Sequence, residues 1–209
     1  MPEKVGTFDV GVTYHQDRVE TSVNYFRSHL SNSITVDVSQ ARWMYQNRGD
    51  ATFQGVEFEG KYYLKKDFFL LGSTLYQTND DGEGGRNRTP IPNVGAKAGI
   101  SYEGANGLTA SVFDSYDGGV DGYAATLNPR PDAHHLVNAL VRLNVSHYWH
   151  GRAGRSLALF MEADNVTNQQ VWMPDWGGNT GDTIPVNRGR TLYFGVEMSL
   201  SKAATSVGR

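Results

Sequence analysis

The chain has 209 residues, of which 39% are hydrophobic and 20% are charged, and its formal net charge is -3. The lack of a basic excess excludes the electrostatic footprint of a nucleic-acid-binding domain. The lack of cysteine excludes disulfides, thiol chemistry and cysteine-based zinc sites. The mean hydropathy is -0.48. The sequence also has no run of about 18 apolar residues that could span a bilayer as a helix. Low hydropathy does not exclude a membrane β-barrel, because only every second residue of such a strand faces lipid.

Alternation of apolar and polar residues recurs along the chain, whereas a helical period is hard to find. A period of two predicts a strand with two unlike faces. The strands predicted in this way are 8–14, 18–26, 55–64, 67–77, 94–102, 108–113, 135–148, 157–164 and 191–200. Their lengths approach those of strands that cross a membrane at a tilt. The fold is therefore predicted to be all-β, with about nine meandering antiparallel strands.

The connections between these strands are alternately short and long. The short ones are 15–17, 65–67, 103–107 and 150–156, and the long polar ones are 28–42, 79–92, 118–133 and 166–188. Tight turns on one side of the membrane and long loops on the other are typical of outer-membrane barrels. A soluble sandwich has no reason to keep this rhythm, since its loops vary freely at both ends.

Aromatic residues cluster near the predicted strand ends. Those near short connections are Tyr14, Tyr62, Tyr63, Phe68, Phe69, Tyr102, Tyr148 and Trp149, and those near long connections are Tyr25, Phe26, Tyr45, Tyr76 and Tyr116. Two aromatic belts are expected where a barrel wall meets the two headgroup layers. The alternative explanation is that aromatic residues simply favour strands.

The strand count is odd, whereas bacterial single-chain barrels have an even number of strands and keep both chain ends on the periplasmic side. Residues 1–200 are therefore expected to form an incomplete, open part of a larger transmembrane barrel, followed by a C-terminal tail at 201–209. The first residues, MPEKVGTFDVG, contain no apolar signal-peptide region. This indicates either a cytoplasmic protein or a missing N-terminal segment.

Several stretches, in their order and spacing, carry a family resemblance. They are PEKV (2–5), YQNRGDATFQGVEFEG (45–60), PIPN (90–93), EADNVTNQ (162–169) and IPVNRGRTLYFGVEMSL (184–200). With them, nearly the whole chain resembles the C-terminal part of TonB-dependent outer-membrane receptors. Each stretch alone occurs by chance, but together they are fairly specific.

The resemblance implies a 22-stranded outer-membrane barrel that is plugged by an N-terminal domain and imports a scarce nutrient, most often a ferric siderophore. Energy would come from the TonB complex through the plug. The sequence departs from the family pattern in having no plug domain, TonB box or signal peptide. It also ends in Arg209 rather than on an aromatic residue of the last strand.

The barrel interpretation assigns the side chains of each strand to lipid or to the lumen. The outer-membrane lipid is expected to contact Leu192, Phe194, Val196, Met198 and Leu200. The lumen-lining candidates are Glu57, Glu59, Lys61, Arg142, Asn144 and Glu197. The carboxylates of Glu57 and Glu59 could also suggest a glycosidase. Lys61 lies on the same strand face, however, which favours the interpretation that all three side chains line the lumen. No catalytic residue, metal site or cofactor is predicted.

The best candidate for ligand contact is VWMPDWGGNTGD (171–182) in the last long connection. Trp172, Asp175 and Trp176 would present aromatic surface and charge outside the cell, which suits an aromatic or anionic siderophore. The alternative is that the tryptophans only pack the loop or mark the membrane interface. Two other functions stay open at this point: a soluble β-sandwich module that binds carbohydrate, and a small porin-like barrel.

Overall fold

The computed structural model describes residues 1–37, 44–47, 49–80, 91–120, 129–148, 155–174 and 183–200. A single 3-10 helix in these ranges spans Val145–His147. The strands, in chain order, are β1 (Lys4–Gln16), β2 (Val19–Ser31), β3 (Ile34–Asp37), β4 (Met44–Asn47), β5 (Ala51–Lys65), β6 (Phe68–Asp80), β7 (Val94–Glu103), β8 (Leu108–Asp117), β9 (His134–Asn144), β10 (Arg155–Asp164), β11 (Trp172–Pro174), β12 (Thr183–Pro185) and β13 (Thr191–Leu200). Within the described residues, no helix is long and apolar enough to cross a membrane.

Nine of these strands form one antiparallel sheet in the order β1-β2-β5-β6-β7-β8-β9-β10-β13. Each of these nine strands pairs with the next one of the nine in chain order, which confirms the predicted all-β meander. Strands β1 and β13 each have one pairing partner, so the sheet is an open segment of a barrel. No second large sheet packs against it in the described part of the chain, so the β-sandwich alternative is wrong. The small closed barrel is also excluded by the two open edges.

The sheet differs from the predicted strands at its ends. Strands β2 and β5 extend further toward their long connection than the apolar alternation indicated, and polar pairs such as His29 with Thr52, 3.0 Å apart, line this extension. Conversely, the predicted strand 135–148 ends at Asn144. The side chain of Asn144 accepts a hydrogen bond from the backbone of Ser146 at 3.2 Å and thereby caps the 3-10 helix that follows.

All the short connections join the strands at one end of the sheet, and all the long ones join them at the opposite end. The short ones are 17–18, 66–67, 104–107 and 145–154, and the long ones are 32–50, 81–93, 118–133 and 165–190. The predicted rhythm is confirmed. Two long connections contain small hairpins that the sequence did not reveal, β3–β4 and β11–β12.

The two faces of the sheet have opposite chemistry, because residues opposite each other in the register share a face. The apolar face carries large exposed side chains, among them Phe8, Val10, Val12, Tyr25, Val56, Phe58, Tyr76, Ile100, Val112, Val141, Leu159, Phe194 and Val196. The polar face carries Asp9, Ser22, Asn24, Glu57, Glu59, Lys61, Ser73, Lys97, Ser115, Asn138, Arg142, Asn144 and Glu197.

The apolar face has no protein layer over it. Val12 and Phe194 remain 72% and 73% exposed, and only four hydrophobic residues of the described part are buried. Monomeric soluble proteins rarely expose a contiguous apolar patch of more than a few hundred Å². An external apolar phase is therefore needed to cover this face.

The predicted aromatic belts are confirmed only in part. Phe68 and Tyr102 lie together on the apolar face near the short connections, with ring centroids 4.6 Å apart. Phe26, Tyr63 and Phe69 were wrongly included, because they lie on the polar face, where the ring centroids of Tyr63 and Phe69 are 5.8 Å apart. Trp149 lies outside the described residues. Adjacent residues of a strand point to opposite faces, so two consecutive aromatic residues cannot both belong to a belt.

On the polar face, a phenylalanine lies directly opposite a glycine in three different strand pairs. The pairs are Phe26–Gly55, Phe113–Gly99 and Phe160–Gly195. In each pair, a Cβ added to the glycine would overlap the phenyl ring. The rings thus occupy the space that a side chain at the glycine would fill, an arrangement by which aromatic residues cover glycines in sheets.

Candidate functional site: the polar face and the last long connection

The polar face contains a charged depression close to the short connections. A cavity of about 410 Å³ lies here, and its polar lining includes Glu20, Ser22, Glu59, Lys61, Ser73 and Lys97. Successive strands place these side chains side by side, since Glu59 pairs with Ser73 and Ser73 with Lys97. Acidic and basic groups alternate across the depression. It can therefore solvate either sign of charge.

Lys61 is held by aromatic rings as well as by charge. Its Nζ lies 4.1 Å from the ring centroid of Phe69 and 4.6 Å from that of Tyr63. The hydroxyl of Tyr63 donates to Glu20 Oε1 at 3.4 Å. Cation–π contacts at partly exposed sites contribute about 0.5–1 kcal/mol each. The ammonium group is thus positioned at the rim of the depression.

Glu57 and Glu59 share the polar face, as predicted, with Glu57 opposite Asn24 and Glu59 opposite Ser22. The described residues contain no group of three or more His, Asp or Glu side chains placed to hold a metal ion. The carboxylates are therefore part of a mixed polar surface.

Arg142 and Glu197 form an ion pair across the sheet. Arg142 Nη2 donates to Glu197 Oε2 at 3.0 Å and Nε donates to the same oxygen at 3.2 Å. The two residues lie on β9 and β13, with β10 between them. Asn144, on the same face, uses its side chain to cap the 3-10 helix. Two of these three predicted residues therefore meet, and the third has a local structural role.

The last long connection is tied to the sheet through Asn165, which is only 5% exposed. Its Nδ2 donates to the carbonyls of Gln169 and Arg188 at 2.8 and 3.1 Å, and its Oδ1 accepts from the Gln169 N–H at 2.8 Å. Its own N–H donates to Asn138 Oδ1 on β9 at 2.8 Å. Asn165 has a φ of 50°, a conformation that asparagine adopts more readily than most residues.

Further asparagines fasten both arms of the same connection. Asn187 Oδ1 accepts from the Val171 N–H at 2.9 Å, and Asn168 Oδ1 accepts from the Arg190 N–H at 2.9 Å. Trp172 follows directly, half-buried in β11 and opposite Pro185 of β12. The other two ligand candidates, Asp175 and Trp176, lie outside the described residues.

A neighbouring long connection touches this one. The hydroxyl of Thr183, which is only 7% exposed, donates to the carbonyl of Pro129 at 2.7 Å. The connections after β8 and after β10 therefore form a joint surface at the loop edge of the sheet.

Comparison with known proteins assigns the sheet to a family. The family model described as "TonB dependent receptor-like, beta-barrel" matches residues 1–166. The chain belongs to this TonB-dependent receptor family. A comparison with curated protein sequences gives no significant match.

Solved structures of receptors and transporters share the fold. The copper transporter OprC, the unliganded ferric citrate transporter FecA and the ferripyoverdine-bound receptor of the Pseudomonas aeruginosa outer membrane give TM-scores of 0.70, 0.70 and 0.67, at 18%, 19% and 18% identity. The matches cover 96%, 95% and 95% of this chain, but only 32%, 31% and 27% of those chains. The family and these structures are receptors and transporters, which confirms the expectation that the protein is not an enzyme.

Parts of the site in this TonB-dependent receptor segment were absent from the sequence-based candidates. Glu20 and Lys97 line the same depression as Lys61, and they could have been found by extending the alternation to strands β2 and β7. Asn165 carries only the weak signal of an asparagine directly after a strand, which is consistent with a left-handed conformation. The partners of its side chain lie up to 23 positions away in the chain and could not be inferred.

Proposed function

We propose that the chain forms part of the barrel wall of an outer-membrane receptor that imports a ferric siderophore. The observation that carries the proposal is the pairing of an uncovered apolar face with a charged polar face on one open nine-stranded sheet. Such a sheet needs lipid on one side and an aqueous lumen on the other. Among the structures that share this fold, FecA is a ferric citrate transporter and the Pseudomonas aeruginosa receptor is bound to ferripyoverdine.

Residues 1–200 would supply nine strands of the wall, and 201–209 would form a tail. Further strands, from residues outside this sequence, would pair with the free edges of β1 and β13. Closure is required because each unpaired backbone group in hydrocarbon costs several kcal/mol. A plug domain, likewise outside this sequence, would contact the TonB complex and couple import to energy.

The polar face would line the lumen of this receptor. Glu57, Glu59 and Lys61 would form one charged region, and Arg142 with Glu197 a second. Both sites are at least partly exposed and carry both signs of charge, so they would solvate a polar ligand without trapping it.

The connection after β10 would contact the cargo on the cell surface. Trp172 is fixed there by the hairpin β11–β12 and by the asparagine network described above. A rigid aromatic surface provides contact area at low entropic cost. With Asp175 and Trp176, it would complement an aromatic or polar iron chelate.

Uptake of radiolabelled iron by a deletion strain tests this function. The strain, complemented with the full receptor, would be supplied with ferric citrate, ferripyoverdine or a ferric catecholate as separate probes. Uptake of at least one of them should depend on both the receptor and TonB. In the Trp172→Ala variant, the apparent affinity should fall by about 30-fold, since truncation of an interface tryptophan commonly costs about 2 kcal/mol.

Tyr148→Ala is the matched control, because this exposed aromatic residue lies near the short connections at the opposite edge. It should leave uptake unchanged. Equal uptake of every iron probe with and without the receptor would overturn the proposed cargo class.

A further inference from the structure

Two of the long connections bury side chains of their own. The described part of the chain buries four hydrophobic residues, and two of them are Val120 and Val171, which are 5% and 3% exposed. Val120 lies in the connection after β8, and Val171 lies in the connection after β10. Most side chains of the large sheet, by contrast, are exposed or half-buried. These two connections are therefore packed like folded protein, unlike the wall to which they are attached.

Each of the two connections is also fastened by backbone hydrogen bonds of its own. In the connection after β8, the N–H of Val120 donates to the carbonyl of Pro131 at 3.2 Å. In the connection after β10, the N–H of Val186 donates to the carbonyl of Val171 at 3.0 Å and extends the hairpin β11–β12. Because each connection is ordered by itself, a single contact between them is sufficient to fix one relative to the other.

The hydroxyl of Thr183 makes this contact. It donates to the carbonyl of Pro129 at 2.7 Å, and its residue is only 7% exposed. Pro129 belongs to the connection after β8, whereas Thr183 is the first residue of β12, 54 positions further along the chain. The bond therefore transmits the position of one connection to the hairpin of the other.

Trp172 lies on the face of the hairpin that carries this contact. In the ladder of β11 with β12, Trp172 is opposite Pro185, and Pro174 is opposite Thr183. Residues two apart on a strand share a face, so Trp172 and Thr183 are diagonal neighbours on one side of the hairpin. Diagonal neighbours lie about 7–8 Å apart, which is within reach of an aromatic side chain. The half-buried indole therefore lies on the side of the hairpin that faces the connection after β8.

We propose that Thr183 is a positioning residue for cargo binding, whose hydroxyl joins the connections after β8 and after β10 into one binding unit and thereby fixes the orientation of Trp172. The proposal rests on the cargo contact of Trp172 given under the proposed function. A bond that already exists in the free receptor lowers the entropy that cargo binding has to remove. Without it, the cargo itself would have to restore the order of the hairpin. The affinity for cargo should then fall, whereas the rate at which bound cargo is transported should stay the same.

Hydrogen exchange of the full receptor without cargo tests the link between the two connections. Thr183→Val replaces the hydroxyl by a methyl group of similar volume and removes the bond to Pro129. Exchange in peptides that cover Val120, in the other connection, should become faster by about 2- to 10-fold, the range expected for the net contribution of one hydrogen bond. Thr183→Ser retains a hydroxyl and should exchange like the unmodified receptor.

Thr191→Val is the matched control. The hydroxyl of Thr191 donates to the carbonyl of Gly189 at 3.0 Å, two residues away at the end of the same connection. Its removal is chemically identical but breaks no bond between connections, so exchange around Val120 should not change. Heat-dependent gel mobility shows that each variant is folded before it is compared.

Uptake by the same variants tests the effect on cargo, with ferric citrate, ferripyoverdine and a ferric catecholate as probes. For an imported probe, Thr183→Val should raise the apparent KM by about 2- to 10-fold and leave the maximal rate unchanged. In a Trp172→Ala background, Thr183→Val should have no further effect, because no indole remains to be positioned. Additive effects of the two substitutions would mean that they act independently, and would overturn the proposal.

The outcomes separate this proposal from the proposed function. Unchanged exchange around Val120 in Thr183→Val, or the same acceleration in Thr191→Val, would refute the link whether or not a cargo is found. An imported probe with an unchanged KM in Thr183→Val would refute the positioning role and leave the import function intact. A receptor that imports none of the iron probes would refute the cargo class and, with it, the positioning role.

Discussion

A charge placed at Phe194 tests which face of the sheet contacts lipid. Phe194 is on the apolar face of β13, paired with Met161, and 73% of its surface is exposed. An arginine on the lipid face costs about 2–4 kcal/mol near the bilayer midplane. At 1.4 kcal/mol per tenfold change, Phe194→Arg should lower the ratio of folded to unfolded receptor by about 30- to 700-fold.

The adjacent residue provides a control at the same depth. Tyr193 lies on the polar face opposite Glu162. In Tyr193→Arg the cation would be hydrated and beside a carboxylate, a cross-strand contact that contributes about 0.2–1 kcal/mol. Urea unfolding of the reconstituted receptor in lipid vesicles measures both effects. Equal destabilisation by the two variants, or a larger effect at 193, would refute the assigned facing.

Three further changes test the packing of the sheet. A double-mutant cycle with Arg142→Ala and Glu197→Ala should give a coupling energy of about 0.2–1 kcal/mol. The reason is that both partners are partly exposed, with 35% and 57% of their side-chain surface accessible. A coupling energy above this range would contradict a water-exposed ion pair. Asn165→Ala should lower the free energy of unfolding by about 2–4 kcal/mol, since the partners of its buried side chain lose their hydrogen bonds. Hydrogen exchange of the backbone amides in the last long connection should become faster. Unchanged exchange rates would contradict the hydrogen-bond network. Gly195→Ala should cost about 1–3 kcal/mol, because the added methyl group would overlap the ring of Phe160. Gly6→Ala is the control, since no atom lies near a Cβ at this position, and it should leave the thermal unfolding midpoint unchanged. Similar unfolding midpoints for the two variants would refute the cross-strand packing.

The sequence was sufficient for the number and order of the nine strands in the large sheet and for the facing of most of them. Alternation repeats wherever a strand has two unlike environments, so β13 could be located from TLYFGVEMSL alone. The same logic placed Arg142 and Glu197 on one face, although they are 55 positions apart. Their contact could not be inferred, because it depends on the registers of β9 with β10 and of β10 with β13.

The sequence reasoning failed where local pattern and tertiary packing differ. The polar ends of β2 and β5 show no apolar alternation, yet the hydrogen-bonded ladder continues there. Asn144 ends β9 by capping, although the alternation runs on past it. The ion pair of Asp114 and His135 was hidden as well. Their contact depends on the register of β8 with β9, which local alternation does not determine.

Contact of the apolar face with lipid can be measured residue by residue along β13. None of the 209 residues is cysteine, so single cysteines at 193, 194, 196 and 197 can each carry a fluorophore in the receptor reconstituted in vesicles. Lipids brominated on their acyl chains should quench the label at 194 and 196 and leave it bright at 193 and 197. Uniform quenching at all four positions, or the reverse pattern, would contradict the account.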